Sequence, residues 1–230
     1  MRLDHDLREA IFVDRPNRFL ALVRLDGGEV LAHVANSGRL RELFVPGTPV
    51  FLTPAPAAAD RKTAYDLTLV EVNGVLVSAD ARLPNPLLAE AIEQGRLPEF
   101  RGYGQVRREV MLNESRIDLE LTGASRPCYI EAKSVTLVKD GVGLFPDAPT
   151  VRGRKHLRAL QRAVGAGHRA AVAFVIQRPD VRSFSPNDAA DGEFSETLRQ
   201  AMANGVEIRA YACRVTRRCV EISQPVPVNL

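Results

Sequence analysis

The stretch RIDLELTGASRPCYIEAKSVTL (116–137) has two apolar, alternating segments around a turn, and it decides the fold of the second half of the chain. Asp118 lies on the first predicted strand, and Glu131 and Lys133 lie on the second. Because successive side chains of a strand point to opposite faces, Glu131 and Lys133 share a face. Two carboxylates and one ammonium can therefore converge at one point on a small sheet.

These side chains suit a metal-dependent site for phosphodiester hydrolysis. Oxygen ligands favour Mg²⁺, which keeps several waters, and the bound ion activates water and neutralises phosphoryl charge. The alternative is a surface ion pair between Glu131 and Lys133, worth about 0–1 kcal/mol. The apolar, β-rich context favours the functional interpretation. So does the retention of Lys133 in a chain with four lysines and 27 arginines, because burial can shift the pKa of a lysine.

The composition allows one large domain or two small ones, with 230 residues and 45% hydrophobic content. The net charge is only +3, but it is unevenly distributed. Residues 148–179 contain seven arginines and lysines, two histidines and no acidic residue. A solvated helix face would usually carry both signs, so this asymmetry indicates a surface that faces a polyanion.

The cysteines and the N-terminal segment indicate the compartment. Cys128, Cys213 and Cys219 are odd in number and lack metal-ligand spacing, which is typical of reduced thiols in a cytoplasmic protein. Residues 1–15 are too acidic for a signal peptide. No apolar stretch reaches the roughly 20 residues that span a bilayer. We therefore expect a soluble cytoplasmic protein with no membrane partner.

Residues 1–83 are predicted to be all-β. Asp26-Gly27-Gly28 and Asn73-Gly74 are strong turn signals, and GRLRELF (38–44) predicts a short helix or turn. Five or six short strands around such a segment are typical of an OB-type barrel, which often binds oligonucleotides but is also a common structural module. A loop is predicted over 55–60. The predicted strands are 10–15, 18–25, 29–34, 49–53, 65–72 and 74–79.

Residues 84–230 alternate helices and strands, which predicts an α/β (α+β) domain with a mixed central sheet. Asn85 is the expected N-cap of the first helix with Pro86 at its first position, and Thr150 is the expected cap of the second. The continuous apolar run 170–177 predicts a buried strand. The predicted helices are 87–97, 152–167 and 193–205, and the predicted strands are 105–112, the two of the hairpin, 170–177 and 206–215.

This order, with Asp118 followed by Glu131-x-Lys133, resembles the PD-(D/E)xK nuclease superfamily. More closely, the chain resembles the sugar fermentation stimulation protein A family of prokaryotes over nearly its whole length. The resemblance implies an N-terminal OB-like β-barrel domain (1–83) and a PD-(D/E)xK nuclease-like domain (84–230). The most specific stretches are SRID (115–118), YIEAKSVTL (129–137), FPDAPTVRGRKHL (145–157), FSP (184–186) and GVEIRAY (205–211).

The resemblance also assigns roles at the site. Asp118 and Glu131 would ligate Mg²⁺ or Mn²⁺, and Lys133 would orient or deprotonate the attacking water or stabilise the developing charge. An additional acidic metal ligand is expected on the first core helix, where Glu90 is the candidate and a solvent-facing side chain is its alternative role. Glu109, on the following strand, is the rival candidate.

Basic residues are the expected nucleic-acid contacts. Arg152, Lys155 and His156 lie in the first turn of the second helix, where cations oppose the helix dipole but phosphate is attracted. His156 is alternatively a hydrogen-bonded structural histidine. Arg116 can hold a substrate phosphate or pair with the nearby aspartate. Phe145-Pro146-Asp147 is a loop over the site or, as we favour, a turn that launches the helix.

The segment ANSGRL (35–40) departs from the family pattern. The family usually has proline and threonine where this chain has Ala35 and Ser37. Asn36, Gly38 and Arg39 are retained, so the turn is expected to persist, with Arg39 as a further nucleic-acid contact.

Two functions follow from these expectations. The first is a DNA-binding protein with an intact Mg²⁺-dependent nuclease site, which the three motif residues favour. The second is a non-catalytic DNA-binding regulator of sugar (maltose) metabolism, the role that the family resemblance implies. A sugar-responsive regulator is disfavoured, since the sequence has no sugar-binding signature. The DNA form (duplex, branched or single-stranded) stays open, and a homodimer is expected because nucleases of this fold cut one strand per site.

Overall fold

The structure is a computed structural model that describes residues 1–3, 7–55 and 62–230. Most of the loop predicted over 55–60 lies outside these ranges. Within them, the first strands form a sheet in the order β3-β2-β1-β4-β5-β6, and β3 also pairs with β5 to close a five-stranded barrel. The predicted OB-like barrel is therefore confirmed. The strands are β1 (Arg8–Asn17), β2 (Leu20–Leu25), β3 (Gly28–His33), β4 (Pro49–Pro54), β5 (Tyr65–Val72) and β6 (Val75–Ser78).

Alternation and turn chemistry explain this barrel. In β2, Ala21, Val23 and Leu25 are buried while the residues between them are not, as expected for a strand with one face in a core. Asp26 and Gly27 both have positive φ, which suits the two-residue turn that joins β2 to β3. The segment 38–44 forms a turn in which the amides of Leu43 and Phe44 donate to the Leu40 carbonyl.

A mixed six-stranded sheet follows the barrel, in the order β15-β14-β12-β9-β8-β7. The three central strands, β9, β12 and β14, are parallel, and the outer pairs are antiparallel. The predicted α/β class is thus confirmed. The elements are α1 (Pro84–Glu93), β7 (Gln105–Leu112), β8 (Ser115–Thr122), β9 (Cys128–Val135), β10 (Val138–Lys139), β11 (Val142–Phe145), α2 (Val151–Gly165), β12 (Arg169–Ile176), β13 (Ser183–Pro186), α3 (Gly192–Ala203), β14 (Glu207–Val215) and β15 (Val220–Pro225).

Four strands of this half were missed from the sequence. β10, β11 and β13 form a separate small sheet and are too short for a periodic pattern to reveal them. β15 is an edge strand whose last three residues are exposed, so its hydrophobic pattern is weak.

The helices cover both faces of the mixed sheet. Side chains of α1 pack with Leu119 and Ile130 on one face, and those of α2 and α3 pack with Val172 and Phe174 on the other. β12 is buried at nearly every position, as expected for a parallel strand covered on both sides. None of the helices in the described ranges has the length and apolar character needed to span a membrane.

The N-termini of α1 and α2 can be compared with the N-cap residues that the sequence predicted. The Thr150 hydroxyl accepts the Gly153 amide at 3.0 Å, so the predicted cap of α2 is confirmed. The prediction that Asn85 caps α1 is wrong, because the helix begins at Pro84 and its N-cap is Leu83. Proline fits the first helical position since its missing N–H has no partner there. Asn85 thus lies inside the first turn, where its side chain is available for other contacts.

Gln177 joins the barrel to the mixed sheet. Its side chain is fully buried, and its Nε2 donates to the Asp80 carbonyl at 3.0 Å and to Ser134 Oγ at 2.9 Å. The Ser78 amide donates to the Gln177 carbonyl at 3.0 Å. Phe51 and Leu69 of the barrel also pack into the core beside α1. Polar and apolar contacts together therefore fix the barrel against the sheet.

Replacement of Gln177 by alanine should lower the free energy of unfolding by about 1–3 kcal/mol, because buried acceptors at the junction lose their donor. Urea denaturation followed by circular dichroism measures this change. Gln224→Ala is the matched control, since Gln224 is exposed on β15 and should change stability by no more than about 0.5 kcal/mol. Equal stabilities of the two variants would contradict the structural role of Gln177.

Candidate active site

Asp118 lies where β8 and β9 separate. The backbone pairing of the two strands ends at Leu119–Ile130. At the preceding residue of β8, the Asp118 carboxylate accepts a hydrogen bond from the Ala132 amide at 2.8 Å. Asn85 Nδ2 approaches both the Asp118 carboxylate and its carbonyl at 3.3 Å. Asp118 is thus oriented by the neighbouring strand and by the first turn of α1.

Glu131 is a buried carboxylate in the middle of the sheet, only 3% exposed. Its strand, β9, places it opposite Val172 of β12. Glu131 Oε1 accepts a hydrogen bond from Lys133 Nζ and is also hydrogen-bonded to His156 Nδ1. The second oxygen, Oε2, is buried and has no hydrogen-bond partner among the described residues. One carboxylate oxygen is therefore doubly satisfied, and the other remains open.

His156 reaches Glu131 from α2. It lies on the buried face of the helix with Gly153 and Leu160, which are three and four residues away and hence on the same side. The other ring nitrogen, Nε2, accepts from Arg152 Nε at 3.4 Å. This arrangement places the ring proton on Nδ1, so that His156 donates to Glu131.

The two carboxylates have different electrostatic environments. Burial, and then the charge of Glu131, raises the pKa of Asp118 above its ordinary value. Burial alone would also raise the pKa of Glu131, but Lys133 and His156 outweigh it and hold that pKa below its ordinary value. Glu131 is therefore anionic, and ionised Asp118 faces unfavourable negative charge that a cation would relieve.

Both carboxylates line a cleft of about 420 Å³ between the barrel and the mixed sheet. Asp118, Glu131 and Lys133 form one wall. The segment 145–150, which includes Phe145-Pro146-Asp147, also lines the cleft before α2 begins. This segment therefore does more than launch the helix, the role that we favoured from the sequence.

The residues expected to contact nucleic acid differ in their exposure. Arg152 is exposed and lines the cleft, and Lys155 is exposed in the same turn of α2. Arg39 is exposed on the barrel, and its amide donates to the Asp147 carboxylate. His156 differs from these residues because its ring is buried, which is inconsistent with the predicted contact to a DNA backbone and matches its structural alternative.

The structure does not bring the other predicted residues to the cluster. The Glu90 carboxylate accepts from the Met1 ammonium at 2.8 Å and lies 3.7 Å from Arg96, so it is directed toward the N-terminus. Glu109 has a positive φ, and its side chain is more than half exposed. Arg116 lies 3.6 Å from Glu109 and pairs with it instead of Asp118.

Two residues of the site were not identified from the sequence. Asn85 was assigned to a helix cap, and Arg18 of the barrel lines the cleft opposite the acids. Neither position carries a local signal, because Asn85 contacts Asp118 and Arg18 shares a cleft with acids that are all distant from it in the chain.

The carboxylate oxygens of Asp118 and Glu131 suit a hard cation that keeps several of its waters. Within the described ranges, no group of three or more His, Cys, Asp or Glu side chains is arranged to hold a metal ion. The available donors are Glu131 Oε2, which has no other partner there, and the Asp118 carboxylate. Mg²⁺ is commonly bound through one or two carboxylates while it keeps several waters. The two acids therefore fit Mg²⁺ better than an ion that needs a full set of protein ligands.

Known proteins resemble the chain over its whole length. The family model "Sugar fermentation stimulation protein RE domain" matches residues 82–219, and "SfsA N-terminal OB domain" matches residues 13–79. A sugar fermentation stimulation protein homolog from Desulforamulus reducens is 48% identical over 98% of this chain and 93% of its own length. Another from Moorella thermoacetica is 47% identical over 100% of both chains. The structure of Pyrococcus furiosus SfsA in complex with Ca²⁺ matches with a TM-score of 0.91 at 31% identity, covering 100% of this chain and 98% of that one.

Asp118→Asn should stabilise the protein at neutral pH without divalent cations. Folding raises the pKa of Asp118. Its ionisation therefore lowers the free energy of unfolding as the pH rises above the pKa of the unfolded state, and the loss is complete above the pKa of the folded state. The asparagine side chain carries no charge, so the melting temperature of the variant should exceed that of the native protein at pH 7. At a pH below both pKa values the two melting temperatures should be similar.

Thermal unfolding with and without added Ca²⁺ or Mg²⁺ measures this effect. The cation should raise the melting temperature of the native protein and have less effect on Asp118→Asn. Glu109→Gln, which changes an exposed carboxylate outside the cleft, is the control. A melting temperature of Asp118→Asn below that of the native protein at pH 7 would contradict the prediction.

Proposed function

Because the chain belongs to the sugar fermentation stimulation protein family, we propose that it binds DNA and hydrolyses phosphodiester bonds with a divalent cation. The buried Glu131 carboxylate carries this proposal, since it shares Oε1 between Lys133 and His156 and leaves Oε2 without a partner among the described residues. A buried polar atom without a partner is costly in a purely structural arrangement. It is expected where a cation completes the site.

Asp118 and Glu131 would hold Mg²⁺ or Mn²⁺. The P. furiosus relative was solved as a Ca²⁺ complex, and Ca²⁺ shares the preference of Mg²⁺ for oxygen ligands. When bound, the cation supplies an activated water and neutralises charge on the phosphoryl oxygens.

The protein side chains prepare this site. The Ala132 amide and Asn85 hold the Asp118 carboxylate in one orientation, while His156 holds Glu131 by Oε1. Lys133 is largely buried beside Glu131, where its ammonium can orient the attacking water or stabilise charge on the phosphoryl group. Preorganised groups of this kind cost little reorganisation during the reaction.

Exposed cations near the cleft would bind the DNA backbone. All three candidates are exposed. Arg152 lines the cleft, Lys155 lies in the same turn of α2, and Arg39 follows the lining residue Gly38 in the chain. Arg154 is excluded from this role because it pairs with Asp191 and Glu193. Contacts to phosphate position a nucleic acid without reading its sequence, so binding should be largely independent of sequence.

A second candidate is a non-catalytic DNA-binding regulator of sugar metabolism. The ion pair between Lys133 and Glu131 favours it, because the ammonium already neutralises the buried carboxylate without a metal. In that case the cleft binds DNA, and the acids retain only a structural role.

Native protein with Mg²⁺ or Mn²⁺ should cleave at least one substrate in a panel of duplex, branched and single-stranded DNA. Asp118→Asn and Glu131→Gln should lower the rate by about 100-fold or more, because they remove donors for the cation and thus the activation of water. Gel-based cleavage kinetics and filter binding on the same samples measure the two properties separately. Glu109→Gln should behave like the native protein. Binding without cleavage by the native protein would instead support the regulator.

Lys155→Ala and Arg39→Ala should each weaken DNA binding to a similar extent for different sequences. Each loss of a phosphate contact should make the slope of log K against log salt concentration shallower by about 1. Fluorescence anisotropy titrations at several salt concentrations measure this slope. Arg101→Ala, an exposed arginine in the segment between α1 and β7, serves as the control. A salt dependence unchanged in both variants would exclude these residues as phosphate contacts.

A further inference from the structure

The cleft has a second wall, which the barrel supplies. Arg18 and residues 36–38 line it opposite Asp118 and Glu131. Arg18 and Phe19 form the turn between β1 and β2. This turn corresponds to the first strand connection of an OB-like barrel, a position that such barrels often use to bind oligonucleotides.

The barrel wall is held in place by Arg15. One nitrogen of its guanidinium, Nη2, donates to the carbonyls of Arg18 at 2.6 Å and Asn36 at 3.2 Å. The other terminal nitrogen, Nη1, donates to the Arg39 carbonyl. The guanidinium of Arg15 is thus committed to three backbone carbonyls. Arg18 differs, because only its carbonyl is engaged and its side chain is exposed, with no hydrogen bond or ion pair within the described ranges.

The distance between the two walls is also fixed. The Asp147 carboxylate, on the sheet side, accepts the amides of Arg39 and Leu40 on the barrel side. Gly38 permits this close approach, since a Cβ at that position would lie 2.8 Å from Asp147 Oδ2. The buried Gln177 ties the same two units nearby. These contacts link the two walls of the cleft directly.

This geometry limits the form of the nucleic acid. A cleft of about 420 Å³ is in the size range of small-ligand pockets, which hold about 300–1,000 Å³. A cleft of this volume is too small to enclose a duplex, whose major groove alone is about 12 Å across. One unpaired strand, with a phosphate and a base or two, fits between the walls.

The turn residues provide two complementary contacts for such a strand. Arg18 lines the same cleft as the two acids, and its guanidinium suits a phosphate of the strand that binds there. Phe19 follows Arg18 in the turn, and its side chain is 51% exposed. Its backbone is anchored, because its amide donates to Asn17 Oδ1 and its carbonyl accepts from the Val34 amide. An exposed aromatic ring on an anchored backbone is suited to stacking on an unpaired base.

We propose that the cleft takes an unpaired polynucleotide strand, whose backbone is bound by Arg18 and one of whose bases stacks on Phe19. The inference rests on the proposed function and deepens it, because it names single-stranded nucleic acid, or the unpaired part of a branched one, as the substrate class. The barrel is then a substrate-binding part of the active site.

Binding in the presence of a chelator tests this proposal separately from hydrolysis. A labelled single strand and the duplex formed with its complement are titrated with the full chain, and binding is followed by fluorescence anisotropy. The single strand should bind at least about tenfold more tightly than the duplex. Arg18→Ala and Phe19→Ala should each lower affinity for the single strand by about tenfold, and Arg18→Lys should restore part of it.

Arg24→Ala is the matched control, because Arg24 is exposed on β2 and does not line the cleft. Its affinity for the single strand should stay within about twofold of native. Melting temperatures of all variants establish that they are folded. Equal affinity for single strand and duplex, or equal effects of Arg18→Ala and Arg24→Ala, would overturn the inference.

Cleavage of a duplex with a single-stranded overhang separates this inference from the proposed function. Cuts confined to the unpaired segment and its junction support the inference, whereas cuts within the paired segment overturn it and leave the proposed hydrolysis intact. Preference for the single strand without any metal-dependent cleavage has the opposite meaning: it supports the cleft assignment and overturns hydrolysis.

Discussion

Glu131 places a carboxylate on a central strand that pairs with β8 on one side and β12 on the other, and the rest of the site depends on how that charge is held. A buried ion costs several kcal/mol unless partners compensate for its lost hydration. Lys133 supplies a positive charge from the same strand, and His156 supplies a hydrogen bond from α2. The position of α2, which begins at the Thr150 cap, is thus coupled to the ionisation of the site.

The compensation is incomplete, and this is functionally informative. Glu131 Oε2 lacks a partner among the described residues, and burial together with Glu131 disfavours the ionised form of Asp118. Residues selected for stability alone would not keep two acids in this arrangement. Departures from local consistency of this kind are typical of functional sites, where stability is reduced in favour of binding or chemistry.

The cleft exists because two folding units meet with a fixed separation. The barrel contributes a turn that Arg15 organises through three carbonyls, and the sheet contributes the acids. Asp147 and Gln177 join the two units by hydrogen bonds to backbone groups, whose positions vary less than those of side chains. The OB-like barrel is therefore more than an appended module, since it forms part of the surface that faces the acids.

The sequence by itself determined most of the elements and part of the site. Alternation and turn residues predicted the barrel strands, the apolar run predicted β12, and spacing placed Glu131 and Lys133 on one face, because these features depend on near neighbours in the chain. Only the tertiary structure decided the remaining contacts. The positive φ of Glu109, the direction of Glu90 toward the Met1 ammonium and the inward position of His156 depend on how strands pair and on the rotation of each helix about its axis. The contact of Asn85 with Asp118 and the Arg18 wall likewise join residues far apart in the chain, whose proximity no local pattern encodes.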